Sequence, residues 1–189
     1  LMLGDIELQR SNKGDLVLLR NENRLMGRLL DDTFRMRTLF GPVELPAGQV
    51  VGLLCPSQSE PLVHVVLRDG QVVGGTLEAR TLRFALHGGD ELKLPIGRVA
   101  SAAYRVDKDK PEKLAIRDAI VALRSGQRLA FDADAFDGRF LCEHGEITLR
   151  PGQLAGVITD TPDGGLHRAA FRRGSVLSGL LLSERIELP

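Results

Sequence analysis

Residues 67–77 read Leu-Arg-Asp-Gly-Gln-Val-Val-Gly-Gly-Thr-Leu, a polar turn followed by an aliphatic strand with glycine near its centre. This pattern recurs along the chain at nearly fixed spacing. Its arginines are Arg20, Arg68, Arg124 and Arg172, which stand 48, 56 and 48 residues apart. The positions five, seven and nine residues further on form ungapped columns: Leu25, Val73, Leu129 and Leu177; Gly27, Gly75, Phe131 and Gly179; Leu29, Leu77, Ala133 and Leu181. Such periods predict a tandem array of one supersecondary unit.

A second block follows in the first three copies, at residues 45–50, 94–99 and 149–154, each time with glycine at its fourth position. Between the two blocks, segments such as residues 34–38 alternate apolar and polar side chains, which is typical of half-buried strands. Each copy therefore predicts an antiparallel meander of four or five short strands.

Every link between copies contains proline, which cannot donate to a sheet ladder and so suits a boundary. We divide the chain into an N-terminal strand at 1–15, repeats at 16–55, 62–106 and 117–160, and a truncated fourth repeat at 166–189. A unit of about 40 residues rarely buries enough apolar surface to offset its conformational entropy. We therefore expect an all-β fold of tandem repeats that share cores, in a small-barrel or sandwich-like arrangement.

Two points of this organisation have alternatives. Residues 112–123 fit an amphipathic helix with Pro111 at its start, whereas the repeat register makes 120–123 a first strand, which we favour because the other copies have one there. The fourth copy stops at Pro189, and residues 1–8 resemble a final strand without the strands that should precede it. Either the two ends pair to close a ring, or the chain is an excerpt of a longer array, as its start without methionine also suggests.

Composition limits the class of protein. A hydrophobic fraction of 43% and the balance of 25 basic with 25 acidic residues exclude the disordered, collagenous and membrane-spanning classes. A formal charge of zero argues against nucleic acid as the main partner, since affinity for a polyanion depends on surplus basic residues. No stretch reaches the roughly 20 apolar residues that a membrane span needs.

The order of turn, glycine-centred strand, third strand and glycine-containing block resembles the two sequence motifs of Sm-like small barrels. Residues 67–77 resemble the first motif and residues 149–154 the second. The resemblance implies RNA binding through an Asp-x-aromatic-Asn loop and an Arg-Gly turn. The corresponding loops at residues 31–34 and 78–81 lack asparagine, so RNA binding is not carried over. The same short pattern is also similar to β-repeats of bacterial envelope proteins.

Residues that could carry chemistry do not form a recognisable site. In the acidic cluster at 132–138, Phe136 and Asp137 stand where an EF-hand loop needs an oxygen ligand and glycine, so calcium is not expected. Cys142 and His144 would share a strand face, but no second pair of ligands stands at metal-site spacing. We expect Cys55, like Cys142, to be a small buried hydrophobe.

The remaining candidate residues are predicted to have structural rather than chemical roles. The histidines lack a partnered nucleophile, and the glycine pairs lack the strand-to-helix context of a phosphate loop. An arginine stripe is expected to form a salt-bridged, edge-protecting surface; it comprises Arg35, Arg37, Arg80 and Arg83. The histidines are His64, His87, His144 and His167. We predict no catalytic, cofactor-binding or metal-binding residues.

The sequence thus predicts a non-catalytic structural or protein-interaction module, whose tandem sheets offer a surface or an edge strand to partner chains. We expect a protein partner, self-association or membership of a longer array, with a bacterial extracytoplasmic location favoured and no membrane span. The alternative is an Sm-like nucleic-acid-binding protein. An enzyme ranks third.

Overall fold

A computed structural model describes residues 2–3, 6–56, 62–107, 119–123, 125–131, 136, 138–159 and 165–182. The fold is all-β with antiparallel sheets, which confirms the predicted fold class at this level. The described strands are β1 Met2–Leu3, β2 Ile6–Glu7, β3 Asp15–Leu19, β4 Arg24–Leu29, β5 Thr33–Thr38, β6 Gly41–Pro46, β7 Val50–Leu54, β8 Leu62–Leu67, β9 Val72–Leu77, β10 Thr81–Leu86, β11 Glu91–Pro95, β12 Val99–Ala103, β13 Ile120–Ala122, β14 Arg128–Ala130, β15 Gly138–Cys142, β16 Gly145–Leu149, β17 Leu154–Ile158, β18 His167–Phe171 and β19 Val176–Leu181.

A single turn of 3-10 helix precedes β7, β12 and β17, at Ala47–Gln49, Ile96–Arg98 and Pro151–Gln153 respectively. These turns are the glycine-containing blocks of the sequence, and the residue that follows each block begins an extended strand. The chain divides into two compact units, Leu1–Leu129 and Ala130–Pro189.

The sheet of the first unit reads the same from both ends. Its strands follow the order β11-β10-β4-β3-β12-β7-β8-β9-β5-β6, and β14 with β13 also joins it at β9. Corresponding strands of the first two sequence copies stand at equal distances from the middle. There β7 and β12 pair antiparallel, with Leu53 opposite Ala102. Because Leu53 and Ala102 occupy the same position in their strands, this pair marks an approximate two-fold axis of the first unit.

The predicted meander is interrupted between its second and third strands. In place of the β4–β5 pair, β4 pairs with β10 and β9 pairs with β5, so that each copy packs its second strand against the third strand of the other. The hairpins β3–β4 and β5–β6 stay within their copy. This exchange is possible because two copies are present together, and it makes each copy depend on its neighbour.

Glycine is required where the second strand of one copy pairs with the third strand of another copy, an arrangement that we call a crossing. A Cβ atom on Gly27, Gly75 or Gly179 would overlap a backbone carbonyl oxygen on the crossing strand. Those carbonyls belong to Ala85, Arg37 and Leu141 respectively. The glycine column of the sequence therefore reports close backbone approach.

The core of the first unit is mainly aliphatic and extends from the strands nearest the two-fold axis to the outer strands β5 and β10, which contribute Met36 and Phe84. Leu8, from the segment after β2, is fully buried against Val51, Val66, Val72 and Ala103. Other fully buried side chains are Val17, Val50, Val63, Val65, Phe84 and Val99.

The second unit contains a five-stranded sheet in the order β16-β15-β19-β18-β17. This order and its pairings match β6-β5-β9-β8-β7, which is one half of the first unit. The β7–β8 and β17–β18 pairs share an irregularity at the second residue of β7 and of β17. Phe140, Cys142, Leu149 and Ala169 form the buried core.

Two open points of the sequence are partly answered. Ile120–Ala122 is a strand, as the repeat register predicted, whereas residues 112–118 lie outside the described part of the chain. At the N-terminus, β1 and β2 pair with each other. Residues 183–189 also lie outside the described residues, so closure of a ring stays a prediction.

Candidate functional site

The repeated arginines donate to backbone carbonyls in or beside the glycine block of a neighbouring copy, and Arg20 also donates to a carbonyl of its own copy. Arg20 Nε donates to the carbonyl oxygen of Gly97 at 3.1 Å, and its Nη2 donates to that of Cys55 at 2.6 Å. Arg68 Nε donates to the carbonyl oxygen of Gly48 at 2.7 Å, while Arg172 Nε donates to that of Leu154 at 3.0 Å. The two most regular features of the sequence, the arginine and the glycine block, are therefore bonded to each other. Arg124 lies outside the described residues.

The arginine stripe forms ion pairs on the exposed face of the sheet. Arg35 pairs with Glu44 at 3.2 Å, Arg37 with Glu78 at 3.8 Å and Arg83 with Asp31 at 3.3 Å; Arg80 is exposed. Exposed pairs contribute about 0–1 kcal/mol each. Three of the four arginines are therefore salt-bridged, as the sequence predicted, but β5 and β10, which carry Arg35, Arg37 and Arg83, are paired on both sides and are not the edge strands that the prediction required.

The cysteines are buried, in agreement with the sequence. Burial raises the pKa of the Cys55 thiol to about 11, with Arg20 opposing the shift. The Cys142 thiol donates to the carbonyl oxygen of Gly145 at 3.3 Å, whereas His144 is exposed and pairs with Glu143. Within the described residues no group of three or more potential metal ligands lies together. Most of the acidic cluster, at 132–135 and 137, lies outside those residues.

His64 on β8 is buried, and its Nε2 is one of two buried side-chain atoms without a hydrogen-bond partner among the described residues. It lies opposite Gly74 of β9, and the side chain of Gln127 covers that glycine. Among the described residues, His64 Nε2 and Gln127 Oε1 have no hydrogen-bond partner. Burial lowers the pKa of His64, while a hydrogen bond to the backbone of Ser125 opposes the shift. Gly126, in the turn that contains Ser125, has a positive φ of 85°.

The other histidines have structural surroundings. His167 Nδ1 accepts a hydrogen bond from the backbone N–H of Leu181 at 2.8 Å, which joins β18 to the end of β19. His87 lines a shallow groove of about 1050 Å³ in the first unit, together with Asp15 and Tyr104.

The groove itself is built from groups that stabilise the sheet. The buried Asp15 carboxylate accepts hydrogen bonds from the backbone N–H groups of Leu29 and Arg105, both at 2.8 Å. Burial and the nearby carboxylates of Asp15, Asp31 and Asp32 raise the pKa of Tyr104. Asp15 was not singled out from the sequence. The available signal was an aspartate at the start of an aliphatic strand, where the second copy has Val63.

The ends of the described sheets differ in how they are protected. Charged side chains and prolines protect edge strands from pairing with other chains. The edge strand β6 contains Pro42, Glu44 and Pro46, and β11 contains charged residues and Pro95. The strand β16 contains Glu146. In contrast, β17 reads Leu-Ala-Gly-Val-Ile, without charge or proline. The three-residue strand β13, which reads Ile-Val-Ala at another end of the first unit's sheet, is also neutral.

The strand β17 is also more exposed than β7, the equivalent strand of the first unit. Its equivalent β7 is paired on both sides, and four of its five residues are buried. Among the described strands, β17 pairs only with β18, and none of its residues is buried. Ile158 is 54% exposed, whereas Leu53 in the middle of β7 is 1% exposed. An extended, neutral strand with one open side is a site at which another strand can add to the sheet.

Large apolar side chains are exposed mainly in the second unit. Of the exposed ones in the described residues, Leu39 and Phe40 lie at one hairpin tip of the first unit, and the others are Leu141, Ile158, Leu166, Val176 and Leu180. Leu141 and Leu180 are cross-strand partners. The second unit thus combines an open strand edge with an apolar surface.

Comparisons with protein-family models, with curated proteins and with solved structures find no match to this chain. Within the described residues, no helix has the length and apolar character that a membrane crossing requires.

Proposed function

We propose that the chain is a non-catalytic structural or protein-interaction module, built from tandem β-repeats, that binds partner chains by strand addition at β17. One observation carries this proposal: among the described strands β17 is paired on one side only and is a five-residue strand without charge or proline, whereas the other sheet ends β6, β11 and β16 contain proline or charge and β13 has only three residues. Backbone hydrogen bonds supply affinity in strand addition, and alternate side chains supply selectivity.

The surroundings of the regular sequence features support a structural role. The repeated arginines bind backbone carbonyls, and the glycine column permits strands to cross. Side chains of the types that act in catalysis, such as those of Asp15 and Cys55, are buried. The Asp15 carboxylate accepts two backbone hydrogen bonds, and the raised pKa of the Cys55 thiol keeps it protonated at neutral pH. Besides exposed charged side chains such as Arg139 and Glu146, the second unit presents the backbone of β17 and exposed aliphatic side chains to other molecules.

Fluorescence anisotropy with the full chain tests the proposal. The probe is a labelled peptide with the sequence of residues 152–159, and the control peptide has proline at the position of Val157. We expect the first peptide to bind and the control to bind at least tenfold more weakly, with little dependence on salt, because the contacts are backbone and apolar.

Labelled single-stranded RNA in the same assay tests the nucleic-acid alternative. Binding of RNA that weakens steeply between 50 and 200 mM salt, together with no difference between the two peptides, would overturn the proposal in favour of the Sm-like function. Equal binding of both peptides without RNA binding would also count against strand addition.

A further inference from the structure

We infer that β17 pairs with β17 of a second copy of this chain, antiparallel and centred on Val157, so that two copies form one continuous sheet. The inference rests on the proposed function, because it names the partner of the same edge. It identifies the occupant as an identical strand, on the basis of how the equivalent strands pair within the first unit.

The template is the β7–β12 pair. In it Leu54 lies opposite Ser101, Leu53 opposite Ala102 and Gly52 opposite Ala103. Counted within the strands, the third residue faces the fifth and the fourth faces the fourth. This register is self-complementary, which is the condition for an isologous two-fold interface.

Two hydrogen bonds beyond the strand ends obey the same symmetry. The N–H of Cys55 donates to the carbonyl of Ala100 at 2.9 Å, and the N–H of Tyr104 donates to that of Val51 at 3.0 Å. Each joins the residue just after one strand to the second residue of the other. Since bonded and non-bonded pairs alternate in an antiparallel ladder, the central Leu53–Ala102 pair is also of the bonded kind.

The residues of β17 can be matched one by one to those of β7, from the turn that precedes each strand and from the register of each strand with its neighbour. Residues 154–158 correspond to residues 50–54, because both strands follow a 3-10 turn and both irregularities fall at the second residue. Val157 therefore corresponds to Leu53. In the inferred dimer Val157 lies opposite Val157 of the other copy, Ile158 lies opposite Gly156, and the N–H of Thr159 donates to the carbonyl of Ala155.

A second copy would supply a second half-sheet, because the described part of the second unit contains only one half of the arrangement seen in the first unit. The five strands β16-β15-β19-β18-β17 match one half of the first unit, in which the other half joins across β7 and β12. A second copy brings an identical half to the equivalent edge. The pairing also covers Ile158, which is 54% exposed, as the equivalent strands are covered in the first unit.

Light scattering coupled to size-exclusion chromatography of the full chain tests the inference over about 1–200 µM, a range that covers dissociation constants in the micromolar range. We expect the apparent mass to rise toward twice the chain mass of 20.6 kDa. Val157→Pro removes an N–H that faces the open side, so we expect at least a tenfold weaker dimer. Circular dichroism and the melting temperature show whether this variant is folded.

The matched control is Thr148→Pro on the opposite edge strand. Cys142 and Gly145 close the β15–β16 hairpin, so by alternation the N–H of Thr148 also faces away from its partner strand. We expect this variant to dimerise like the unmodified chain. Equal loss of dimer in both variants would show that the substitutions act through unfolding and would overturn the assignment to β17.

Cysteine cross-linking tests the register without depending on proline. In a Val157→Cys variant the two introduced Cα atoms would lie about 5.5 Å apart, within the range of a disulfide. In the control Ile158→Cys they would lie on a diagonal at about 8 Å or more, outside that range. We expect rapid dimer formation under mild oxidation for the first variant only. Random collision predicts the reverse, because Ile158 is well exposed and Val157 is partly buried.

The outcomes separate this inference from the proposed function. A chain that stays monomeric at every concentration, while the 152–159 peptide still binds, overturns self-pairing and leaves strand addition standing. A monomer that binds neither peptide overturns both. Dimers that cross-link through Ile158 rather than Val157 overturn the register.

Discussion

Gly27 of β4 lies so close to Ala85 of β10 that a Cβ atom on the glycine would overlap the alanine carbonyl oxygen. The two residues belong to different copies of the repeat and stand 58 positions apart, 85 minus 27. Their approach is what allows β4 to pair with β10. This contact is one of several that join the two sequence copies, together with the β3–β12, β7–β8 and β5–β9 pairs.

Replacement of this glycine tests the exchange of strands. We expect Gly27→Ala to lower the free energy of unfolding by about 2–4 kcal/mol, because a β-carbon forces two backbones apart. The control is Gly48→Ala, since no described atom lies within 4 Å of a Cβ built there. It should change stability by less than about 0.5 kcal/mol. Urea denaturation of both variants gives the comparison, and equal effects would contradict the role of the crossing.

The arginine clamp is tested at Arg20, whose guanidinium bonds the carbonyls of Gly97 and Cys55. Arg20→Gln removes charge-assisted hydrogen bonds, and we expect a loss of about 1–3 kcal/mol in stability. The exposed Arg24→Gln serves as the control for loss of one charge. If both variants melt at the same temperature, the clamp does not stabilise the fold.

His64 predicts a specific pH dependence of stability. Because burial lowers its pKa in the folded state, the unfolded chain binds more protons than the folded chain below about pH 6.5. Stability therefore falls as the pH decreases from 7 to 5, by at most about 1.4 kcal/mol per pH unit for this group. His64→Leu, which introduces the residue found at the equivalent Leu16, should reduce that slope. Urea titrations at several pH values measure it, and an unchanged slope would exclude His64 as a contributor.

Cys55 should be unreactive while the chain is folded. A pKa raised to about 11 leaves roughly a hundredfold less thiolate at pH 8 than its usual value would allow, and burial limits access further. A chromogenic disulfide reagent should label Cys55 slowly in the native chain and fast in urea. The Cys142→Ser variant isolates the signal of Cys55. Rapid labelling of the native variant would contradict the burial of this thiol.

The fold could be predicted in part because its signals are local. Alternating side chains at 34–38 and glycine turns such as the one at Gly70, which has a φ of 85°, specify strands and hairpins from neighbouring residues alone. The strand at Ile120–Ala122 follows from a different signal, because the local pattern also fits a helix and only the register of the other copies predicts a strand. Pairing between copies was expected, but its pattern was not.

The candidate site was predicted only in kind. The sequence indicated that an edge strand would be offered to partners, whereas the choice of β17 depends on which strands end a sheet. The amino-acid sequence of residues 154–158 does not distinguish an edge strand from a central strand, because the equivalent residues 50–54 are equally apolar and lie in the middle of a sheet. The buried Asp15 was missed because its partners, Leu29 and Arg105, are distant in sequence.

By itself, the sequence determined the all-β class, the hairpins, the positions of turns and the residues that must be small or charged, because these follow from backbone preferences and period-two patterning over a few residues. The tertiary structure alone decided that β4 pairs with β10, that Arg20 binds the turn at Gly97, and that β17 is paired on one side only among the described strands. Hydrogen bonds between strands are chemically alike wherever they form. The choice among possible partners therefore depends on the packing of the whole sheet.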